Sequence, residues 1–132
     1  MVNISRDITK KYQINGKTIY QPDKDMEYDF QTTYSKSSKR TQFGKLIIKP
    51  LFTVERYSYK ASNVPMEEAS RLIRLIIKGK PFNLYHWSMY HNAWRTDQFY
   101  VGKGNYIIGD VSDNHKYVSE ISFNMTGVKP LA

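Results

Sequence analysis

From Met26 the apolar residues fall on alternate positions, Met26, Tyr28 and Phe30, followed in phase by Thr32 and Tyr34, with Glu27, Asp29, Gln31 and Thr33 between them. A period of two sets one side of the segment on a core and the other in water, so it predicts a long strand. A second run, Lys45 to Tyr59, keeps Leu46, Ile48, Phe52 and Val54 in phase. Pro50 interrupts it and has no N–H for a ladder, which predicts an edge position or a bulge. Between the two runs, Ser35 to Gly44 carries the small polar residues of a turn or long loop. It lacks an apolar anchor except Phe43, so it is expected to be mobile in the free chain. Together these runs predict an extended hairpin over residues 28–59. It is longer than a small sandwich needs for its own core.

The rest of the chain divides in the same way. Asn15-Gly16 is the preferred dipeptide of a type I′ turn, because both residues tolerate positive φ, and it stands between Tyr12-Gln13-Ile14 and Lys17-Thr18-Ile19-Tyr20. A small N-terminal hairpin is predicted there, ended by Pro22. One helix is predicted over residues 65–78. Pro65 suits a first helical turn, Asn63 or Ser62 can cap it, and Glu67 and Glu68 lie near its positive end. Met66, Ala69, Leu72, Ile73 and Ile76 form one apolar stripe, and Gly79 with Pro81 ends the helix. Arg71, Arg74 and Lys78 lie off the stripe. Both charge signs are present, so a core-facing helix accounts for it better than a membrane-surface one.

Strands then return. Phe82 to Trp87 leads through Ser88-Met89-Tyr90-His91-Asn92-Ala93 to a return strand from Trp94 to Gly102. Asn105 to Asp110 and Tyr117 to Met125 are the last two strands, with a polar turn at Ser112-Asp113-Asn114-His115. Strands, one helix and strands again predict an α+β, mainly β, domain on a β-sandwich or a strongly bent sheet. Its core is expected to include Leu72, Ile73, Ile76, Leu84, Tyr100, Ile121 and Phe123.

Length fixes the number of domains: 132 residues make one, spanning 1–132. Apolar residues are 40% and charged residues 24%, ordinary for a globular domain. The aromatic share is 14%, which excludes wholesale disorder. The longest aliphatic runs, Leu46-Ile47-Ile48 and Leu75-Ile76-Ile77, are too short to span a bilayer, so no membrane association is expected. Met1 to Asp7 lacks an apolar core, so no signal peptide is expected. There is no cysteine, which excludes disulfides, thiolate catalysis and cysteine-based zinc sites and fits a reducing cytoplasm.

Net charge is +8 and unevenly spread. Asp23, Asp25, Glu27 and Asp29 make an acidic edge. From Ser35 to Lys60 the basic residues Lys36, Lys39, Arg40, Lys45, Lys49, Arg56 and Lys60 face one acid, Glu55. Such a dipolar pattern suits a subunit that docks against its own copies; two solvated strand faces give the same pattern. Candidate chemistry is sparse. His86 and His91 flank an expected bend but designate no third metal ligand, and His115 stands apart. The acidic residues 23–29 lack a glycine-rich calcium loop. Gly102-Lys103-Gly104-Asn105 lacks the phosphate-loop spacing and a following helix, so a tight turn explains it better. No nucleophile elbow is present. No enzyme activity, no cofactor and no metal are expected. Basic residues alternate with aromatics at Arg56-Tyr57-Ser58-Tyr59-Lys60 and around Tyr85-His86-Trp87, so a basic single-strand nucleic-acid-binding module is the alternative.

The order of features resembles the small tail structural proteins of long-tailed bacteriophages and prophages, especially those of Gram-positive hosts. The residues that carry this are Ile14-Asn15-Gly16, Pro22, the strand holding Tyr28, Lys45-Leu46-Ile47-Ile48-Lys49-Pro50, Pro65-Met66-Glu67-Glu68 with Leu72-Ile73, Phe82-Asn83-Leu84-Tyr85, Phe99-Tyr100-Val101-Gly102 and Tyr117 to Met125. The resemblance covers roughly residues 12–126 and implies a tail-tube-like β-sandwich with one flanking helix and a long hairpin. It implies a non-enzymatic ring subunit of a tail tube, connector or distal tail and baseplate hub. The partners implied are copies of itself, as a hexamer, neighbouring tail proteins and, transiently, DNA in the tube lumen. The location implied is the virion tail, after synthesis in the host cytoplasm. Interface contributions are expected from Tyr28, Phe30, Lys36, Lys39, Arg40, Leu46, Ile48 and Phe52.

Overall fold

The computed structural model describes residues 11–34, 39–40, 46–47 and 50–131. The N-terminal hairpin forms as its turn dictates: β1 (Gln13–Ile14) pairs antiparallel with β2 (Lys17–Thr18) around Asn15 and Gly16, whose φ angles are +52° and +79°. The long hairpin is β3 (Glu27–Tyr34) against β6 (Pro50–Pro65), in register from Glu27↔Ser58 to Thr33↔Phe52 and then Tyr34↔Pro50. Leu51 is skipped, so the bulge expected from Pro50 is present. Between these strands, β4 (Lys39–Arg40) and β5 (Leu46–Ile47) form a separate two-stranded ladder. Much of the loop 35–44 lies outside the described residues.

The helix α1 runs Met66–Ile76, shorter than the predicted 65–78. Pro65 occupies the N-cap position and no side chain caps the helix. The expected caps are engaged elsewhere: Asn63 has a φ of +52°, and the Ser62 hydroxyl donates to Asp23 at 2.8 Å. Ala69, Leu72 and Ile76 are buried at spacings of three and four, and Ile73 only partly. Then follow β7 (Phe82–Ser88), β8 (Ala93–Tyr100), β9 (Gly104–Ser112) and β10 (His115–Gly127).

The architecture is α+β and mainly β. Its hydrogen bonds make one eight-stranded antiparallel sheet, ordered β2-β1-β7-β8-β10-β6-β3, with β9 also on β10. The spine is β10 against β6, in register from Tyr117↔Pro65 to Thr126↔Arg56. The sheet is curled. β7 and β6 are three steps apart in the order, roughly 14 Å in a flat sheet, yet the rings of His86 on β7 and Tyr57 on β6 meet at 5.1 Å. The two faces of the sandwich are thus halves of one sheet folded over a core that includes Tyr59, Ala61, Leu72, Leu84, Phe99, Ile121 and Met125.

Two bulges decide which residues enter that core. On β10 the pairing jumps from Val118↔Ile108 to Glu120↔Ile107, passing over Ser119, so Val118 and Ile121 are both buried despite their odd spacing. Opposite it Gly109 is also passed over, and the Tyr117 ring occupies the space a β-carbon there would need. Of the expected core residues, Leu72, Ile76, Leu84, Ile121 and Phe123 are buried. Tyr100 is not: it is 39% exposed, and Phe99 and Val101 take the interior positions of that alternation. Leu84 and Tyr100 therefore make a test pair. Leu84→Ala should cost about 2–5 kcal/mol in urea unfolding through the cavity it opens. Tyr100→Ala should cost clearly less, and an equal loss would mean that the alternation along β8 is placed wrongly.

Candidate assembly surface

The hairpin β3–β6 leaves the body with its apolar side chains uncovered. No residue of β3 is fully buried. Phe30 is 65% exposed, Tyr34 53%, Leu51 62% and Phe52 43%. β3 is the terminal strand of the sheet, so its outer edge has no ladder partner among the described residues. Monomers seldom leave contiguous large apolar side chains in water without a use for them.

The register places the expected interface residues on different sides. Tyr28 and Phe30 lie opposite Tyr57 and Glu55 and share their face, whereas Phe52 lies opposite Thr33 on the other. Lys39 and Arg40 face Ile47 and Leu46 in the β4–β5 ladder. Lys36 and Ile48 lie outside the described residues. Within the hairpin, the Arg56 guanidinium grips the Asp29 carboxylate at 3.0 and 2.8 Å, and the hydroxyls of Thr32 and Thr53 meet at 2.7 Å. The acidic edge is thus partly neutralised by a basic residue of its own subunit. This pair is about half exposed, so it fixes register more than it stabilises.

The root of the hairpin is a buried polar network that the sequence patterns above do not single out. Glu55 is buried. Its Oε1 accepts from the Tyr28 hydroxyl at 3.0 Å and the Tyr57 hydroxyl at 3.4 Å. The Met89 N–H donates to the Tyr57 oxygen at 3.0 Å. Burial, then the bond to Glu55, pushes the Tyr28 phenol up to about 12, and burial pushes Tyr57 up as well. Behind Tyr57, fully buried His86 meets Asp97 Oδ2 through Nε2 at 2.8 Å, and Arg95 shares that carboxylate at 3.0 Å. Phe99 and Tyr57 enclose the imidazole edge-on. One signal was present in the sequence: Glu55 is in phase with Tyr57, Tyr59 and Ala61, a carboxylate on the face that goes inward.

Beside this root, Tyr28, Phe30, Thr53, Met89, Tyr90 and Leu131 line a hollow of about 530 Å³. Its walls are apolar rings and chains with no convergent acid or base. The histidines form two separate pairs: Ser88 Oγ meets His91 Nδ1 at 2.9 Å, while the carboxylate of Asp97 meets His86. The acid orients one imidazole and the hydroxyl meets the other, so no serine–histidine–acid line is assembled. Among the described residues no group of three or more histidine, aspartate or glutamate side chains could hold a metal ion. Gly102 and Lys103 lie in the turn between β8 and β9.

Asp97 gives this network a pH signature. Burial alone would raise its carboxyl, but hydrogen bonds from His86 and Arg95 outweigh that and hold it below the ordinary value. A carboxyl depressed on folding contributes stability above its unfolded value of about 3.9 and loses it as pH falls through the folded value. Melting temperature should therefore drop as pH falls below about 4. Asp97→Asn should melt lower at neutral pH and show a shallower acid-side fall. Thermal melts followed by circular dichroism check both, and an unchanged acid limb would remove Asp97 from this account.

No protein-family model matches the chain, and a search of curated proteins finds no match. Among solved structures, one similar chain belongs to a structure described as "Virion of native gene transfer agent (GTA) particle". It is 14% identical, the alignment covers 88% of each chain, and the TM-score is 0.48.

Proposed function

We propose that this chain is a non-enzymatic structural subunit of a bacteriophage tail that assembles into a ring, as part of the tube, a connector or the distal hub at the baseplate. The observation that carries the reading is the hairpin: an edge strand, β3, with no fully buried residue, and apolar side chains that face water on both of its strands, Phe30 and Tyr34 on β3 and Leu51 and Phe52 on β6. Burying one such side chain on association is worth about 1.5–3 kcal/mol, so a few of them supply the drive for a stable contact. The free edge of β3 offers a row of backbone donors and acceptors to a neighbouring copy. The basic segment 35–60 and the acidic residues 23–29 can then select orientation, since charge complementarity fixes register more than affinity. A head-to-tail contact of this kind closes into a ring when its rotation closes. The partners are further copies, in a hexamer as the family resemblance implies, and neighbouring tail proteins. Any contact with DNA is the transient one of the tube lumen that the family resemblance implies.

Light scattering over a concentration series, with negative-stain imaging of the largest species, tests this reading. Rings or short tubes are expected. Phe30→Asp combined with Leu51→Asp should leave the melting temperature nearly unchanged, because both side chains are exposed, and should shift the population to monomer. A double variant that assembles like the parent would show that the hairpin is not the contact.

A further inference from the structure

Both tryptophans of the chain lie outside the core. Trp87 and Trp94 are register partners across β7 and β8, at positions alternating with buried Leu84, His86 and Ser88. Trp94 is the centre of an aromatic cluster. Tyr85 stacks on it at 5.3 Å, and Tyr12 and Trp87 meet it edge-on at 5.2 and 6.1 Å. Neither tryptophan nor Tyr85 belongs to the hydrophobic core or to the partly buried side chains packed on it. Beside the cluster opens a groove of about 720 Å³, lined by Tyr12, Trp87 and Trp94 together with Met26, Tyr28 and Tyr57. That volume is within the range of small-ligand sites, about 300–1,000 Å³.

Hydrogen bonds tie the groove's backbone to the fold. The Gln21 side chain clamps the Tyr12 backbone, accepting from its N–H at 2.9 Å and donating to its carbonyl at 3.1 Å. The Asp23 N–H donates to the Lys60 carbonyl at 2.8 Å and holds that segment to β6. Such ties reduce the ordering cost of binding.

The rim decides the ligand class. Lys11 and Lys24 stand with Asp23 and Asp25 around the opening, two charges of each sign. A nucleic-acid strand would carry its phosphates past two carboxylates, unlike the basic track that such strands need. A purely apolar ligand would strip water from four charged groups. A neutral molecule with apolar faces and hydroxyl edges meets both demands. The C–H face of a pyranose packs on an aromatic ring, and its hydroxyls donate to carboxylates and accept from ammonium groups. We propose that this aromatic groove binds a neutral saccharide segment, a function that holds whether or not the chain forms rings.

Because no tryptophan lies elsewhere, tryptophan emission reads this groove alone. The purified full chain should be titrated with chitotetraose, cellotetraose and maltotetraose, and in parallel with oligothymidylate at low and high salt. A saturable emission change with at least one sugar, insensitive to salt, is expected. Trp87→Ala should weaken it about tenfold or more. Asp25→Asn should weaken it several-fold at an unchanged melting temperature, because Asp25 is exposed and its φ of +66° suits asparagine. This second variant keeps the test valid if Trp87→Ala fails to fold. No response to any of the three sugars at tens of millimolar overturns the proposal. So does a salt-sensitive response to oligothymidylate alone, which would assign the groove to single-stranded nucleic acid.

Discussion

Glu55 is a carboxylate taken out of water at the point where the hairpin leaves the body, and the surrounding structure is arranged to satisfy it. An unpaired buried charge costs several kcal/mol, so its partners have to arrive together. Tyr28 brings β3, and Tyr57 brings the next inward position of β6 itself. Tyr57 in turn takes the Met89 N–H beyond the end of β7 and lies against the ring of His86. Since β6 and β7 are three steps apart in the sheet, those contacts exist only if the sheet curls. Curl, hairpin root and core closure are therefore consequences of one set of contacts. Removing Glu55 would disturb all three, while a change at Phe30 or Leu51 would disturb none.

The spine that allows this curl is the pair of long strands β6 and β10. Long antiparallel strands coil readily when bulges raise their local twist, and both carry one, at Leu51 and at Ser119. The Ser119 bulge turns β10 so that Val118 and Ile121 both point inward. It coincides with Gly109 on β9, where the Tyr117 ring occupies the space of a side chain. The helix then closes the sheet over β10 and β6 by its narrow stripe of Ala69, Leu72 and Ile76.

What the sequence made legible follows from local physics. Asn15-Gly16 gave its hairpin because two adjacent positive φ values leave few other choices of residue. The helix was legible from its stripe, and the β3–β6 pairing from two runs of period two around a polar loop. The misses have local causes too. The expected strand stopped at Tyr59, whereas β6 runs on to Pro65: Lys60, Ala61 and Asn63 are poor strand formers, and pairing with β10 overrides that preference. Tyr100 was expected inside, but the side of β8 that faces the core is fixed only by its pairing with β7 and β10, and it takes Phe99. The even positions of β6, Phe52 and Val54, share a phase but not the core; the odd positions Glu55, Tyr57 and Tyr59 enter it. Single-strand patterns cannot show that, because the choice is made by the curl. Apart from the phase of Glu55, the polar network left no mark in the sequence for the same reason, since Glu55, His86 and Asp97 come from three strands.

The hairpin beyond its root is held by little. Past the Asp29–Arg56 pair the cross-strand contacts are the Thr32–Thr53 hydroxyl pair and backbone ladder bonds, and such pairs are each worth about 0.2–1 kcal/mol. A two-stranded hairpin of this kind is marginal in water by itself. Its order depends on the root, where Glu55, Tyr28 and the Asp29–Arg56 pair lock the register before the strands leave the core. Apolar residues at Phe30, Tyr34, Leu51 and Phe52 then serve no purpose in the isolated fold: each could be polar without cost to the core, and polar residues there would improve solubility. Under the proposed assembly a neighbouring copy covers these side chains, two on β3 and two on β6, and supplies the stability the hairpin lacks alone. On that proposal, folding and assembly are separated along one strand pair, with Glu55 at the boundary between them.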